Sequence, residues 1–274
     1  MYGGPRATSM PWGACPIGRS RLDLILLMEL KPFIEADFRA LSGSCCGSAE
    51  YNPFRLESRR RLEALGKSLV KGAKAADLAL EARTSLHNPH AFNRQRVTRQ
   101  WAYVMRAKAE KTRLRKILGR DLAKDLDAAY RNAYLCFAIE EEFLEVSLRI
   151  HPEGWYDGQN MVNRIKREGV GAWKAILDGL EGFTLRMHDW RGAWECGQAD
   201  TRALEEYLGY YVPGEHRLAV ERRFPARAAA RAGPAQMAAL GDEVPGMLLA
   251  EAERLLPLYR FAAWSEESDH LFSS

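Results

Sequence analysis

The sequence predicts an α+β fold, with an antiparallel or mixed sheet of about five to seven strands and helices packed mainly on one face. Three observations predict it. Segments of helical period flank and interrupt a run of segments whose apolar residues recur every second position. The strand-like segments are joined by hairpins and irregular crossings, without the regular βαβ alternation of a doubly wound sheet. No internal repeat of fixed period is present. The chain of 274 residues, 47% hydrophobic and 28% charged, is long enough to bury a sizeable core.

Residues 1–27 are rich in Gly, Pro, Ser and Arg and carry no period. They are expected to form a flexible N-terminal arm, or to reflect a start read too far upstream. Residues 28–274 are expected to form a single α+β domain. The stretch "LDLILLMEL" at 22–30 is interrupted by Asp23 and Glu29 and no small-residue cleavage site follows. It therefore reads as no signal peptide, and no apolar run reaches the ~20 residues needed to span a bilayer.

The elements follow in order. Leu30, Phe33, Ile34, Phe38 and Leu41 recur at helical spacing, and "SGSCCGSAEYNP" is a loop. Residues 54–71 set Leu62, Leu65 and Leu69 on one face of an amphipathic helix. In "DLALEARTSLH" the period changes to two, with Leu78, Leu80, Ala82, Thr84 and Leu86 opposed to Glu81, Arg83, Ser85 and His87. "RQWAYVMRA" alternates Trp101, Tyr103 and Met105 against Ala102, Val104 and Arg106 as a second strand. A helix over 109–130 is broken near Gly119, and 133–151 reads as a hairpin turning at Glu141. Asp157 is a candidate N-cap and Gly169 the terminator of the next helix. A short helix, a strand in "FTLRMHDWRGAWEC", a helix in "DTRALEEYLG" and a strand in "EHRLAVERRF" follow. Two helices, near 234–240 and 243–256, close the chain before "LYRFAAWS".

Three strand-like segments end in histidine: His87, His151 and His188. Each histidine shares the parity of its strand's polar residues. Those are Glu81, Arg83 and Ser85 in the first, Glu145, Ser147 and Arg149 in the second, and Arg186 in the third. With helices on one face of the sheet, this parity falls on the open face. Arginine forks there would match phosphate or carboxylate oxygens, and imidazoles would move protons. The candidate catalytic residues are therefore His87, His151, His188 and Asp157. The candidate anion-binding residues are Arg83, Arg149 and Arg186, with Arg113, Arg115 and Lys116 from the basic helix. The plain alternative is a solvated face of cross-strand Glu–Arg pairs. The three histidines converge only if their strands run in the same direction.

Net charge is +4, but residues 94–120 hold ten Lys or Arg and one Glu, and the remainder of the chain is correspondingly acidic. Segregated basic charge attracts polyanions. Trp101 and Tyr103 lie within it, and their shared parity suits a buried strand face better than a stacking platform. Five cysteines, an odd number with no C-x-x-C spacing, read as reduced thiols in a cytoplasmic protein. His87 and His90 have no ligand spacing of a known kind, so no metal site is expected. Phosphate-loop, dinucleotide-fingerprint, nucleophile-elbow, H-E-x-x-H and two-histidine phosphoesterase motifs are missing.

The expectation is thus a cytoplasmic protein without an obligate cofactor that binds an anionic partner, either a phosphorylated ligand or a nucleic acid. One alternative is a metal-independent hydrolase or phosphoesterase using the strand-end histidines. A protein-interaction module without catalysis is the other.

Overall fold

The computed structural model describes residues 30–187, 192–226 and 240–272. The expected arm, His188 and the helix near 234–240 lie outside the described residues. The fold is α+β, built on a seven-stranded sheet in which every ladder is antiparallel.

The chain enters through an extended stretch and a short helix, α1 (Glu35–Arg39). The longer helix expected from Leu30 onward does not form. Pro32 offers no N–H and disfavours the helical region at Lys31. Leu30, Phe33, Phe38 and Leu41 still reach the core, while Ile34 is exposed. Helix α2 (Asn52–Ala75) buries Leu62, Leu65 and Leu69 against strands β1 (Leu80–Thr84) and β2 (Arg99–Arg106). Gly66 permits this approach: a methyl group there would meet the Ala82 Cβ at 3.1 Å. Helix α3 (Lys108–Leu122) is broken at Gly119, as its sequence indicates.

The hairpin β3 (Tyr134–Glu140) and β4 (Phe143–Ile150) follows, then helices α4 (Trp155–Glu168) and α5 (Val170–Asp178). Gly169 ends α4 with φ +87°, a conformation that glycine adopts without strain. The single strand expected in 183–196 is instead a pair, β5 (Thr184–Met187) and β6 (Ala193–Glu195). Asp200 caps helix α6 (Thr201–Tyr210), and β7 (Leu218–Pro225) returns to the sheet. Helices α7 (Val244–Arg254) and α8 (Leu256–Ala262) complete the described chain; "LYRFAAWS", expected beyond the last helix, is partly helical. Among the described residues no helix is long and apolar enough to cross a membrane.

The strand order is β1-β2-β3-β4-β7-β5-β6, so β7 lies between β4 and β5. One face carries Ala102, Val104, Leu135, Phe137, Ile139, Leu144, Val146, Leu148, Val220 and Leu185, all in the main core. Helices α2, α4 and α7 pack on that side. Among the described residues the other face is covered at one corner, where Ala129 packs beside Met105 and Arg83 donates to the Asp127 carbonyl at 2.9 Å.

Candidate functional site on the open sheet face

The registers fix which side chains share the open face. Trp101 lies opposite Ala138, which lies opposite Glu145, which lies opposite Arg223. The next row runs Tyr103, Cys136, Ser147, Glu221 and Thr184. The third runs Met105, Tyr134, Arg149, Ala219 and Arg186. Small side chains among them (Ala138, Cys136, Ser147 and Ala219) leave space between the larger rings and guanidinium groups. The face holds a hollow of about 570 Å³ rimmed by Arg99, Trp101 and Tyr103 on one side and by Arg186, Arg217 and Arg223 on the other. That volume falls in the range of small-ligand sites.

A buried ionic network underlies the hollow. Arg149 Nη2 donates to Glu145 Oε1 at 2.6 Å and to Glu221 Oε2 at 2.8 Å, and its Nε donates to Ser147 Oγ at 3.0 Å. Ser147 Oγ donates to Glu145 Oε1 at 2.7 Å, and Arg99 Nη2 donates to the same oxygen at 3.1 Å. Arg99 also pairs with Glu140. Around Glu221 Oε1 stand Arg223 Nη2 at 3.0 Å and Arg186 Nε at 3.3 Å.

Burial alone would raise the carboxyl pKa of Glu145, whose side chain is 0% exposed. The charges of Arg149 and Arg99 outweigh it and hold that pKa down to about 2. Burial likewise opposes the charge of Arg149, yet Glu145 beside it raises its pKa. Burial pushes the Cys136 thiol up to about 11 and the Tyr134 hydroxyl to about 12, so both are protonated at neutral pH. In sum the hollow sets five arginines (99, 149, 186, 217 and 223) against three glutamates (140, 145 and 221). Arg186 and Arg223 have side chains 49% and 50% exposed. These groups can bind an anion directly, since their carboxylate pairing leaves guanidinium donors facing the hollow.

Of the residues singled out by sequence, Arg149 and Arg186 meet here. Arg83 does not: it pairs with Glu81 and Asp127 at the covered corner. Arg113 pairs with Glu110 and Glu266, and Arg115 with Asp127. Lys116 is exposed on α3, and none of these three lines the hollow. Nor is the basic stretch a continuous surface, because Arg106 and Lys111 are buried. Arg55, also buried, donates to the carbonyls of Ala40, Cys45, Ser48 and His87.

The two described strand-end histidines, His87 and His151, do not converge. Strands β1 and β4 run in opposite directions, so His87 and His151 leave the sheet at opposite ends. His87 sits 3.5 Å from Arg59, where burial and that charge lower its pKa. His151 caps a single helical turn by accepting from the Glu153 N–H. Asp157 is no N-cap. It lies in the first turn of α4, fully buried, pairs with Arg106, and accepts from the backbone N–H groups of Ala133 (2.6 Å) and Trp264 (2.8 Å). It ties β2, the start of β3 and the C-terminal segment together. Among the described residues, no group of three or more His, Cys, Asp or Glu is placed to hold a metal ion.

Sequence reasoning had not assigned Arg99, Arg217, Glu221 and Arg223 to a site. Their signal was the same parity, in "RQWAYVMRA" and "EHRLAVERRF". It became a site only once β7 was placed beside β4. Trp101 and Tyr103, read as better suited to a buried face, instead rim the hollow half-buried. No family model matches the chain, and no curated protein matches it at a significant level.

Proposed function

We propose that the open face of the sheet binds an anionic partner, a phosphorylated ligand or nucleic acid, through the arginines of the hollow. One observation carries the reading: five guanidinium groups surround a concave, water-facing volume whose three glutamates leave a positive excess. Arginine forks bind phosphate oxygens in pairs, and low-dielectric walls strengthen the attraction. The buried Glu145–Arg149–Glu221 network supports it by holding Arg149 in place. Among the described residues Cys45, Cys46, Cys136 and Cys196 are buried and unbridged, which fits a cytoplasmic setting.

The test is calorimetric titration with inorganic phosphate and pyrophosphate at low salt. The double variant Arg186→Ala/Arg223→Ala is compared with Arg113→Glu/Arg115→Glu/Lys116→Glu. Each charge-assisted contact contributes roughly 1.5–3 kcal/mol, so the first variant should weaken binding at least about tenfold. The second should leave it near wild type. If the α3 variant abolishes binding and the hollow variant does not, the ligand is on the helix and this site is refuted. A hydrolase moving protons with His87, His151, His188 and Asp157 gains no support from His87 and His151, which stand apart, or from Asp157, buried in an ion pair; His188 lies outside the described residues. A protein-interaction module is the reading left standing if no anion binds.

A further inference from the structure

Resting on that anion-binding reading, we infer that the ligand is a nucleotide, with the base stacking on the Trp101–Tyr103 rim and the phosphate held by the arginines across the hollow. The rim is the part of the site that an anion alone leaves unexplained. Trp101 and Tyr103 stand two positions apart on β2, with ring centroids 5.6 Å apart and planes inclined by 23°. Tyr134, buried beneath, backs the rim with its ring centroid 4.5 Å from that of Tyr103. Arg99 flanks Trp101 on the same strand face. An aromatic surface beside arginines on an open antiparallel sheet suits a planar base that carries phosphate, because every base offers a π-face for stacking.

The dimensions agree. Trp101 and Tyr103 lie on β2 and Arg223 on β7, with Arg217 just before it, three strand spacings away, about 14 Å. Inorganic phosphate cannot touch both rims, whereas a base, a sugar and a phosphate in series can. Between the rims the floor is formed by the small side chains Cys136 and Ala219, leaving room for the sugar.

The experiment uses the full chain and titrates inorganic phosphate, ribose 5-phosphate, nucleoside monophosphates and a short single-stranded oligonucleotide. Trp101→Leu, which keeps an apolar side chain on the rim and removes the stacking face, is measured beside the wild type. Nucleotides should bind at least about tenfold more tightly than ribose 5-phosphate, and Trp101→Leu should erase that preference while keeping affinity for phosphate. If the variant does not fold, the wild-type ratio of nucleotide to ribose 5-phosphate decides alone. Equal affinity for the two overturns the nucleotide and leaves the anion site standing. No binding of any phosphate overturns both. An oligonucleotide that binds where monophosphates do not assigns the nucleotide to a strand; equal binding assigns it to a free small molecule.

Discussion

Glu145→Gln tests whether the ionic network beneath the hollow holds the sheet together. The glutamine keeps the shape of the side chain but cannot carry its charge. In the native protein the Glu145 carboxyl titrates at about 2, against an ordinary 4.5, because the Arg149 and Arg99 charges overcome its burial. That difference corresponds to about 3 kcal/mol of stability at neutral pH. Since the native value is depressed, the contribution is complete above about pH 4.5 and disappears as the pH falls toward 2. Glu145→Gln should therefore lose about 3 kcal/mol near pH 7, as Arg149 and Arg99 lose a buried counter-charge. Arg149 keeps Glu221 and Arg99 keeps Glu140, which places the loss at the lower end for a broken buried pair. The assay is urea unfolding of both proteins, followed by tryptophan fluorescence, in steps from about pH 7 to about pH 3. The gap between the two proteins should narrow steadily below about pH 4.5. A gap under about 1 kcal/mol at neutral pH, or one that stays constant into acid, refutes the reasoning.

Arg55→Lys should fold poorly or lose at least about 3 kcal/mol, because one ammonium group cannot replace a guanidinium that satisfies four carbonyls, and thermal unfolding with soluble yield measures it. Asp157→Asn should cost about 3–5 kcal/mol, since it leaves Arg106 buried beside a neutral amide; a urea midpoint close to wild type would contradict the role given to this pair. Gly169→Ala should cost about 1–3 kcal/mol, because φ +87° with ψ 153° is a conformation essentially confined to glycine, although a methyl group there meets nothing within 4 Å; an unchanged midpoint in denaturant titration would contradict that geometry. Hydrogen bonds from Ser42 and Ser44 lower the Cys45 thiol to about 7, whereas burial raises Cys196 to about 12. Peptide mapping after brief iodoacetamide treatment near neutral pH should find Cys45 alkylated well before Cys196 and Cys136, and the reverse order would contradict it.

Periodicity made much of this legible. Alternation placed Glu145, Ser147, Arg149 and Arg186 on the uncovered face, and the structure keeps all four there. The hairpin at Glu141, the break at Gly119 and the long helix carrying Leu62, Leu65 and Leu69 were each readable locally. What depended on distant pairing was not. Nothing local says that β7 enters beside β4, so Glu221 and Arg223 could not be joined to Glu145. Asp157 has the sequence context of a cap, and only tertiary packing against Arg106 and Trp264 turns it inward. Strand direction, which separates His87 from His151, follows from the order of the sheet and not from either segment alone. Charge density misled for a related reason: a count of Lys and Arg does not separate the buried structural residues Arg55, Arg106 and Lys111 from those at the surface.

The late return of β7 has a consequence for synthesis. While residues up to about 217 are leaving the ribosome, β4 presents a bare edge of apolar and charged side chains, and Glu145 and Arg149 await a neighbour some seventy positions downstream. Such an edge readily recruits foreign chains. A nascent polypeptide halted before Leu218 should consequently aggregate or recruit chaperones, and release of the next eight residues, through Pro225, is the step that seals it.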